Sequence, residues 1–321
     1  MSSAAISFPM LGSWSICPPN SFTLFGHTFY YYGLIIAIGF LLAVAYCFHR
    51  SESLVGIKPN DLTDILLFSV PVGIICARAY YVIFFGHYDN FLDMLKIWEG
   101  GLAIYGGLIG ASICIFLVCR YKKISALATL DIVVFGFLIG QFIGRWGNFM
   151  NREAFGYETE IFCRMGLTLD GTTIYVHPTF LYESLWNLAG FIGLHILSKK
   201  TVRRFDGQFF LYYVGWYGLG RVWIEGLRSD SLYIGSTGLR VSQLIAGACV
   251  IIAAAALFIV LRSGRCSEDK LWINRVKAAA AAEPADAEAS PEETLVSDES
   301  ASDEKNSQPR EITADTDTDN E

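Results

Sequence analysis

The sequence has few charged residues and lacks the usual phosphate-binding and zinc-binding signatures. Only 17% of its 321 residues are Asp, Glu, Lys or Arg. It contains no P-loop, no Gly-x-Gly-x-x-Gly fingerprint and no repeat of fixed period. Its eight cysteines form no Cys-x-x-Cys pair and show no zinc spacing. These absences argue against a nucleotide-binding enzyme, a zinc protein and a solenoid.

Long apolar runs dominate the chain instead. Its hydrophobic content of 53% and mean hydropathy of +0.41 are too high for an ordinary soluble domain of this size. Seven runs each approach the roughly 20 residues that a helix needs to cross a bilayer. They span residues 30–48, 62–85, 102–119, 127–143, 180–197, 209–224 and 241–261. We therefore predict an all-α polytopic membrane protein with seven transmembrane helices.

The basic residues predict its orientation. Residues 1–29 contain no Lys or Arg, whereas three alternate turns and the start of the tail are basic: Arg50, Lys58, Arg120, Lys122, Lys123, Lys199, Lys200, Arg203, Arg204, Arg262 and Arg265. By the positive-inside rule, the N-terminus lies outside and the C-terminus lies in the cytoplasm. We expect no cleavable signal peptide, because the N-terminal stretch lacks a basic region and an apolar core of its own.

This topology gives an external segment 1–29, a seven-helix domain 30–262 and a cytoplasmic tail 263–321. Between the fourth and fifth helices, the loop of about 146–177 is expected to form a small external head region, with a short strand at 172–176. Residues 283–321 hold 14 acidic residues against Lys305 and Arg310. The net charge of this segment is therefore −12, and because the whole chain carries −7, the rest carries +5. This composition predicts a disordered acidic tail. Cys17 and Cys163 both fall outside, and the sequence leaves open whether they form a disulfide.

Polar residues stand at the outer ends of three predicted helices, where a bilayer should exclude them. Arg145 ends the fourth apolar run, and Glu183 lies about one turn inside the fifth. If the sixth helix continues, Arg221, Glu225 and Arg228 share one face at i, i+4 and i+7. A solvated helix face is the alternative, which the flanking apolar residues disfavour. Because an isolated charge in lipid is costly, these groups should face partners or a water-filled cavity.

Several arginines at the outer leaflet, offset by carboxylates and surrounded by apolar helices, suit a phosphate carried by a lipid. Guanidinium groups match phosphate oxygens and remain charged at any relevant pH. We therefore expect the lipid bilayer and a phospholipid head group as partners, and no nucleic acid. Paired glycines at 100–101 and 106–107 permit close backbone packing nearby.

At this point the sequence resembles the prolipoprotein diacylglyceryl transferase family, bacterial membrane enzymes that begin lipoprotein maturation. The resemblance covers about residues 30–261, and the family signature is matched at Gly144, Arg145, Gly147, Asn148, Phe149, Asn151, Glu153 and Gly156. It implies transfer of the diacylglyceryl group of phosphatidylglycerol to the lipobox cysteine of a prolipoprotein signal peptide, with release of glycerol phosphate. It also implies a seven-helix fold in the bacterial plasma membrane and no metal or organic cofactor.

The resemblance also implies roles for individual residues. The catalytic candidates are Arg145, Arg221, Glu225, Arg228 and Tyr105. The substrate-binding candidates are Arg145, Asn148, Asn151, Glu153, Gly156, Glu183, Tyr32 and Tyr217. The arginines are expected to stabilise the departing phosphate, while the carboxylates orient them and balance their charge.

Tyr105 departs from the family pattern, because many members have a histidine there that has been considered the base for the substrate thiol. A tyrosine with a pKa near 10 is a poor base. Proton removal is then left to a carboxylate such as Glu225, to water, or to stabilisation of the thiolate by arginine. His27 and His177 are further candidates for which a structural role is favoured.

Two other classes of function use similar residues. A transporter of anionic lipids would also need membrane arginines, but it would ordinarily show two related halves. A lipid-binding scaffold without catalytic activity would not need so many residues that match the signature of the transferase family. Transfer to a lipobox peptide separates the enzyme from both.

Overall fold

The computed structural model describes residues 5–282, except 13, 87, 89, 98–99, 170, 201–202, 230, 232, 234–237 and 264–265. The chain divides into one unit, Met1–Ala281, and a second unit, Ala282–Glu321. The predicted acidic tail 283–321 and Arg265 lie outside the described residues.

Helices account for most of the described chain, and one helix coincides with each of the seven apolar runs. Those seven are α1 (Tyr31–Val55), α2 (Pro59–Phe84), α4 (Ile104–Tyr121), α5 (Ala126–Asn151), α6 (Thr179–Lys200), α7 (Gln208–Glu225) and α8 (Val241–Arg262). Two shorter helices are α3 (Phe91–Met94) and α9 (Trp272–Ala282).

Five of the described helices are long and apolar enough to cross a membrane, namely α1, α2, α4, α5 and α8. Their outer faces expose large apolar side chains such as Leu41, Ile75 and Ile251, as a helix facing lipid would. α6 and α7 are less hydrophobic, because Glu183 in the first and Arg221 in the second are among several polar residues that interrupt their apolar sequence. The structure therefore supports an all-α membrane protein.

α5 is the most buried of the five candidate spans, and it contacts α1, α6 and α7. Ser125 caps its N-terminus, because the Ser125 hydroxyl oxygen accepts a hydrogen bond from the amide of Ala128 at 3.2 Å. Phe135 and Leu138 on this helix are fully buried in the main apolar core, which Phe209 of α7 also joins. Because α5 is fixed on three sides, Arg145 near its C-terminal end is held in a defined position.

The strands form two antiparallel sheets. The first sheet has the order β2-β1-β5-β6, with β1 (Ala5–Ser7), β2 (Ser15–Ile16), β5 (Met165–Leu169) and β6 (Thr172–Val176). The second is a hairpin of β3 (Ser21–Leu24) and β4 (His27–Tyr30) that leads directly into α1. The predicted strand at 172–176 is thus confirmed. That β1 and β2 join it in one sheet was not predicted, because pairing between distant strands leaves no local sequence pattern.

Two helices extend beyond the apolar runs from which they were predicted. α1 continues seven residues beyond 48, to Val55. α5 continues to Asn151, so residues 146–151 of the predicted head loop are helical. α5 ends because Arg152 adopts a left-handed conformation, with φ of 56°.

A buried carboxylate fixes the start of α7 against α5. Asp131 of α5 is fully buried and accepts hydrogen bonds from the backbone amides of Gly207 at 2.8 Å and Phe210 at 3.0 Å. It also lies 3.4 Å from the guanidinium of Arg203, which contacts Asp206 at 2.8 Å. Asp131 therefore satisfies amides at an N-terminus that would otherwise lack partners, and this links the two helices that carry Arg145 and Arg221.

We expect Asp131→Ala to destabilise the protein by about 3–5 kcal/mol, because it leaves a buried arginine with one partner fewer and two buried amides unpaired. The thermal unfolding midpoint of purified protein measures the effect. Asp93→Ala is the matched control, because the Asp93 carboxylate forms an exposed ion pair with Lys96 and alanine keeps the backbone carbonyl that Arg78 contacts. It should leave the midpoint unchanged. Equal midpoints for the two variants would contradict the role given to Asp131.

Candidate active site

Glu183 lies at the centre of a cluster of three arginines. One carboxylate oxygen, Oε2, is 2.5 Å from Nη2 of Arg145, and Oε1 is 3.1 Å from Nη1 of Arg221 and 3.2 Å from Nη1 of Arg228. The Glu183 side chain is only 7% exposed, whereas Arg145 is 24% exposed. The structure thus brings together residues from α5, α6, α7 and the segment after α7, and it leaves Arg145 as the most accessible arginine of the three.

Glu225 extends the cluster along α7. Its Oε2 atom is 2.8 Å from Nη2 of Arg221, an ion pair at i, i+4 without the alignment of a hydrogen bond. The prediction that Arg221, Glu225 and Arg228 share one helix face required α7 to continue to Arg228. α7 ends at Glu225, so the prediction does not hold for Arg228. Arg228 reaches Glu183 from the following segment, where a non-helical backbone turns it toward the same carboxylate.

A second group of polar contacts lies at the C-terminal end of α5. The amide oxygen of Asn148 accepts a hydrogen bond from Arg145 at 3.3 Å, and its amide nitrogen donates to Glu153 at 2.9 Å. Asn151 donates to the same Glu153 oxygen at 3.5 Å. Arg145 is therefore held between two carboxylate groups, directly by Glu183 and through Asn148 by Glu153.

Gly156 lies where two segments cross. Its backbone pairs with Arg228, its amide donates to the carbonyl of His177 at 2.9 Å, and the next amide donates to the carbonyl of Leu227 at 2.9 Å. A Cβ atom at Gly156 would lie 2.6 Å from both the His177 Cβ and the Leu227 carbonyl oxygen. Only glycine fits here, and this crossing fixes the segment that carries Arg228.

The three predicted tyrosines form no hydrogen bond with the cluster in the described part of the chain. The ring of Tyr32 packs against Gly147, because a Cβ atom added at Gly147 would lie 2.7 Å from that ring. Tyr217 lines the same small cavity as Glu183 and Arg221. Tyr105, near the start of α4, is 51% exposed.

Arg78 is a buried residue that the sequence reasoning missed. It lies in α2, 6% exposed, and donates to the carbonyl oxygens of Asp93 at 2.9 Å, Met94 at 2.8 Å and Gly100 at 2.7 Å. These bonds fix the backbone just before α4 and therefore the position of Tyr105. Its position within the apolar run 62–85 could have identified Arg78 from the sequence, because a charged residue in a membrane span usually has a partner or a function.

His177 and Cys163 meet at Tyr182. The Tyr182 hydroxyl is 3.4 Å from Nδ1 of His177 and 3.4 Å from Sγ of Cys163. Burial lowers the pKa of His177, so its imidazole is neutral at pH 7. Cys17 and Cys163 are both free thiols.

A small cavity adjoins the cluster between α6 and α7. It has a volume of about 10 Å³, and its walls are Glu183, Trp186, Asn187, Tyr217, Gly220, Arg221 and Ile224. Chemically, the site can bind an anionic group at the arginines and one small polar group in this cavity.

A family model for prolipoprotein diacylglyceryl transferase matches residues 19–260 of the chain. The chain is also similar to proteins named phosphatidylglycerol–prolipoprotein diacylglyceryl transferase. It is 44% identical to that of Ligilactobacillus salivarius over 240 residues, which cover 71% of this chain and 87% of the relative. Identity to the Enterococcus faecalis protein is 42% over 269 residues, or 80% and 94% of the two chains.

The similarity extends to a Clostridium perfringens protein of the same name, numbered 1, with 38% identity over 265 residues, 80% of this chain and 99% of the relative. The family match includes all the residues of the arginine cluster. The chain therefore belongs to the prolipoprotein diacylglyceryl transferase family.

Proposed function

We propose that this protein transfers the diacylglyceryl group of phosphatidylglycerol to the lipobox cysteine of prolipoprotein signal peptides, the first step of lipoprotein maturation. The observation that carries the proposal is the cluster of Arg145, Arg221 and Arg228 around the buried Glu183. The names of the relatives, which specify this donor lipid and this class of acceptor protein, support it.

The reaction forms a thioether and breaks one carbon–oxygen bond. The cysteine sulfur attacks the sp3 carbon of the glyceryl group, and glycerol phosphate leaves with the electron pair of the broken bond. The phosphodiester carries one negative charge before the step and a second develops as the bond breaks. Preplaced cationic donors lower the barrier for such a step, because they stabilise charge that is largest in the transition state.

The arginine cluster suits this charge development. Each guanidinium has five N–H donors, and in the described contacts of Arg145 one donor faces Glu183 and another faces Asn148. Other donors of Arg145 therefore remain for phosphate oxygens, and its greater exposure supports it as the first phosphate ligand. Glu183, Glu225 and Glu153 hold the arginines apart in fixed orientations, which reduces the reorganisation needed when the lipid binds.

The substrate supplies the nucleophile. A free thiol has a pKa of about 8.5, so a neighbouring positive field raises the fraction present as thiolate at neutral pH. The arginine cluster supplies that field, and the thiol proton passes to a carboxylate such as Glu225 or to water. In this proposal Tyr105 orients the donor lipid, Tyr32 and Tyr217 border the bound head group, and no metal or organic cofactor takes part.

We further propose seven transmembrane helices in the bacterial plasma membrane, including α6 and α7, with the N-terminus and an external head outside and the C-terminus in the cytoplasm. The polar residues of α6 and α7 then contact the arginine cluster and not lipid. The basic residues after α1, α4, α6 and α8 support this orientation.

The function is tested with purified protein, phosphatidylglycerol in detergent micelles and a lipobox peptide. Mass spectrometry should show the peptide gaining one diacylglyceryl group on its cysteine, and a Cys→Ser peptide should gain none. An unmodified cysteine after prolonged incubation with well-folded protein would refute the proposal. Movement of lipid across sealed vesicles without peptide modification would favour a transporter.

Arg145→Ala should lower the transfer rate by about 100-fold or more, because it removes a preplaced donor from the departing phosphate. Arg145→Lys should retain part of the activity, since it keeps the charge without the planar fork. Arg164→Ala is the matched control, because Arg164 stacks on Tyr175 at 5.0 Å, outside the cluster, and normal transfer is expected. Full activity of Arg145→Ala would remove Arg145 from the mechanism.

Tyr105→Phe should lower the transfer rate by about tenfold, the effect of one lost hydrogen bond to the substrate. Tyr105→His should restore part of the rate, because imidazole also offers a donor and an acceptor. The initial rate of peptide modification measures both. Unchanged turnover of Tyr105→Phe would restrict Tyr105 to packing.

The orientation predicts which thiols react in intact cells. Cys17, an exposed thiol in the N-terminal segment, should be labelled by a membrane-impermeant maleimide. Cys266, which follows α8, should be labelled only after the membrane is permeabilised. Peptide mass spectrometry reads out both sites, and the reverse pattern would invert the topology.

A further inference from the structure

Asn187 is a polar side chain of the cavity wall whose amide forms no hydrogen bond with the described residues. It lies in α6, one helical turn after Glu183, and is 4% exposed. The neighbouring Ser184, also buried, accepts a hydrogen bond from Trp146 at 3.1 Å and donates to the Phe142 carbonyl at 3.0 Å. Because its residue is buried from bulk solvent and its amide lines the cavity, Asn187 is placed to bind a polar group that enters the cavity.

The cavity limits the size of that group. Its volume of about 10 Å³ corresponds roughly to a single water-sized group. A phosphate group is too large for it, whereas one hydroxyl attached to a larger molecule fits. Glu183 and Arg221 form part of the same wall, so the hydroxyl would belong to a molecule whose phosphate lies at the arginines.

Two tryptophans keep the cavity at this size. The rings of Trp186 in α6 and Trp216 in α7 stack at 4.2 Å, and each indole N–H donates to the backbone carbonyl of the other residue at 3.0 Å. Each ring lies against a glycine of the opposite helix, Gly220 and Gly190, where a Cβ atom would lie 2.3 and 2.4 Å from the indole nitrogen. These contacts fix α6 against α7, so the cavity cannot widen easily.

Charge and hydrogen bonding further define the group. An amide offers donors and an acceptor, which matches a hydroxyl that can both donate and accept. The three arginines and two carboxylates of the cluster leave one net positive charge beside the cavity, which disfavours an ammonium group of similar size. A neutral hydroxyl satisfies both conditions.

We propose that Asn187 hydrogen-bonds a hydroxyl of the glycerol head group of the donor lipid and thereby selects phosphatidylglycerol over anionic lipids that lack that hydroxyl. The proposal rests on the proposed function and extends it to donor specificity. Asn187 is then a substrate-binding residue, and Trp186 and Trp216 are positioning residues that keep its pocket small. A site that hydrogen-bonds a substrate hydroxyl discriminates strongly against an analogue without it.

The test compares two donors with equal charge and acyl chains: phosphatidylglycerol and the corresponding phosphatidylpropanol, in which 1-propanol replaces glycerol. The purified full-length protein should show a kcat/KM for phosphatidylglycerol at least about tenfold higher than for phosphatidylpropanol. Asn187→Leu, which keeps the branched shape and the number of heavy atoms of the side chain but removes its hydrogen bonding, should lower kcat/KM about tenfold for phosphatidylglycerol and leave it within about twofold for phosphatidylpropanol. Leu185→Ala, on the exposed face of the same helix, should change neither value.

Three results would overturn the proposal. First, the wild-type protein could show equal kcat/KM values for the two donors, and this comparison requires no variant. Asn187→Leu could lower kcat/KM equally for both donors with an unchanged unfolding midpoint, which would assign Asn187 to a bound water or to packing. The variant could also leave both values unchanged. Absence of transfer from phosphatidylglycerol by the wild-type protein would instead refute the proposed function, so the two failures are distinguishable.

Discussion

The buried carboxylate of Glu183 is the interaction on which the arrangement of the site depends. Three guanidinium groups repel one another in a low-dielectric environment, and they stay within about 3 Å of one carboxylate because its negative charge offsets that repulsion. The arginines come from α5, α7 and the segment after α7, so the same contact also joins three parts of the fold. One group therefore serves the packing of the fold and, in the proposed function, the binding of phosphate.

Backbone irregularities place the groups that regular helices could not. α5 ends at a left-handed Arg152, which turns Glu153 back toward Asn148. Beyond it, Gly156 crosses the chain at Leu227, and this crossing brings Arg228 to the carboxylate that α6 presents. Gly156 thus allows the chain segments to cross because it has no side chain, while Glu153 and Glu183 hold their partners through charge.

The helices and most of the cluster could be predicted because apolar runs and misplaced charges are local features of the sequence. Arg145, Glu183, Arg221 and Glu225 interrupt apolar stretches, and the cost of charge in lipid predicts that they meet. The position of Arg228 could not be predicted from helical spacing, because the end of α7 depends on tertiary contacts. The pairing of residues 5–7 with 166–168 and the carbonyl contacts of Arg78 are likewise long-range. Asn187 could not be identified as a binding residue from the sequence, since a single amide in an apolar helix often forms a hydrogen bond within the protein.

The reciprocal contact of Trp186 and Trp216 has a consequence for how this protein can diverge. Each indole fills the space left by a glycine on the facing helix, and each ring supports the other. A smaller residue in place of either tryptophan leaves a void, and a side chain in place of Gly190 or Gly220 produces a clash. Descendants of this sequence are therefore expected to keep all four residues or to exchange them as a covarying set.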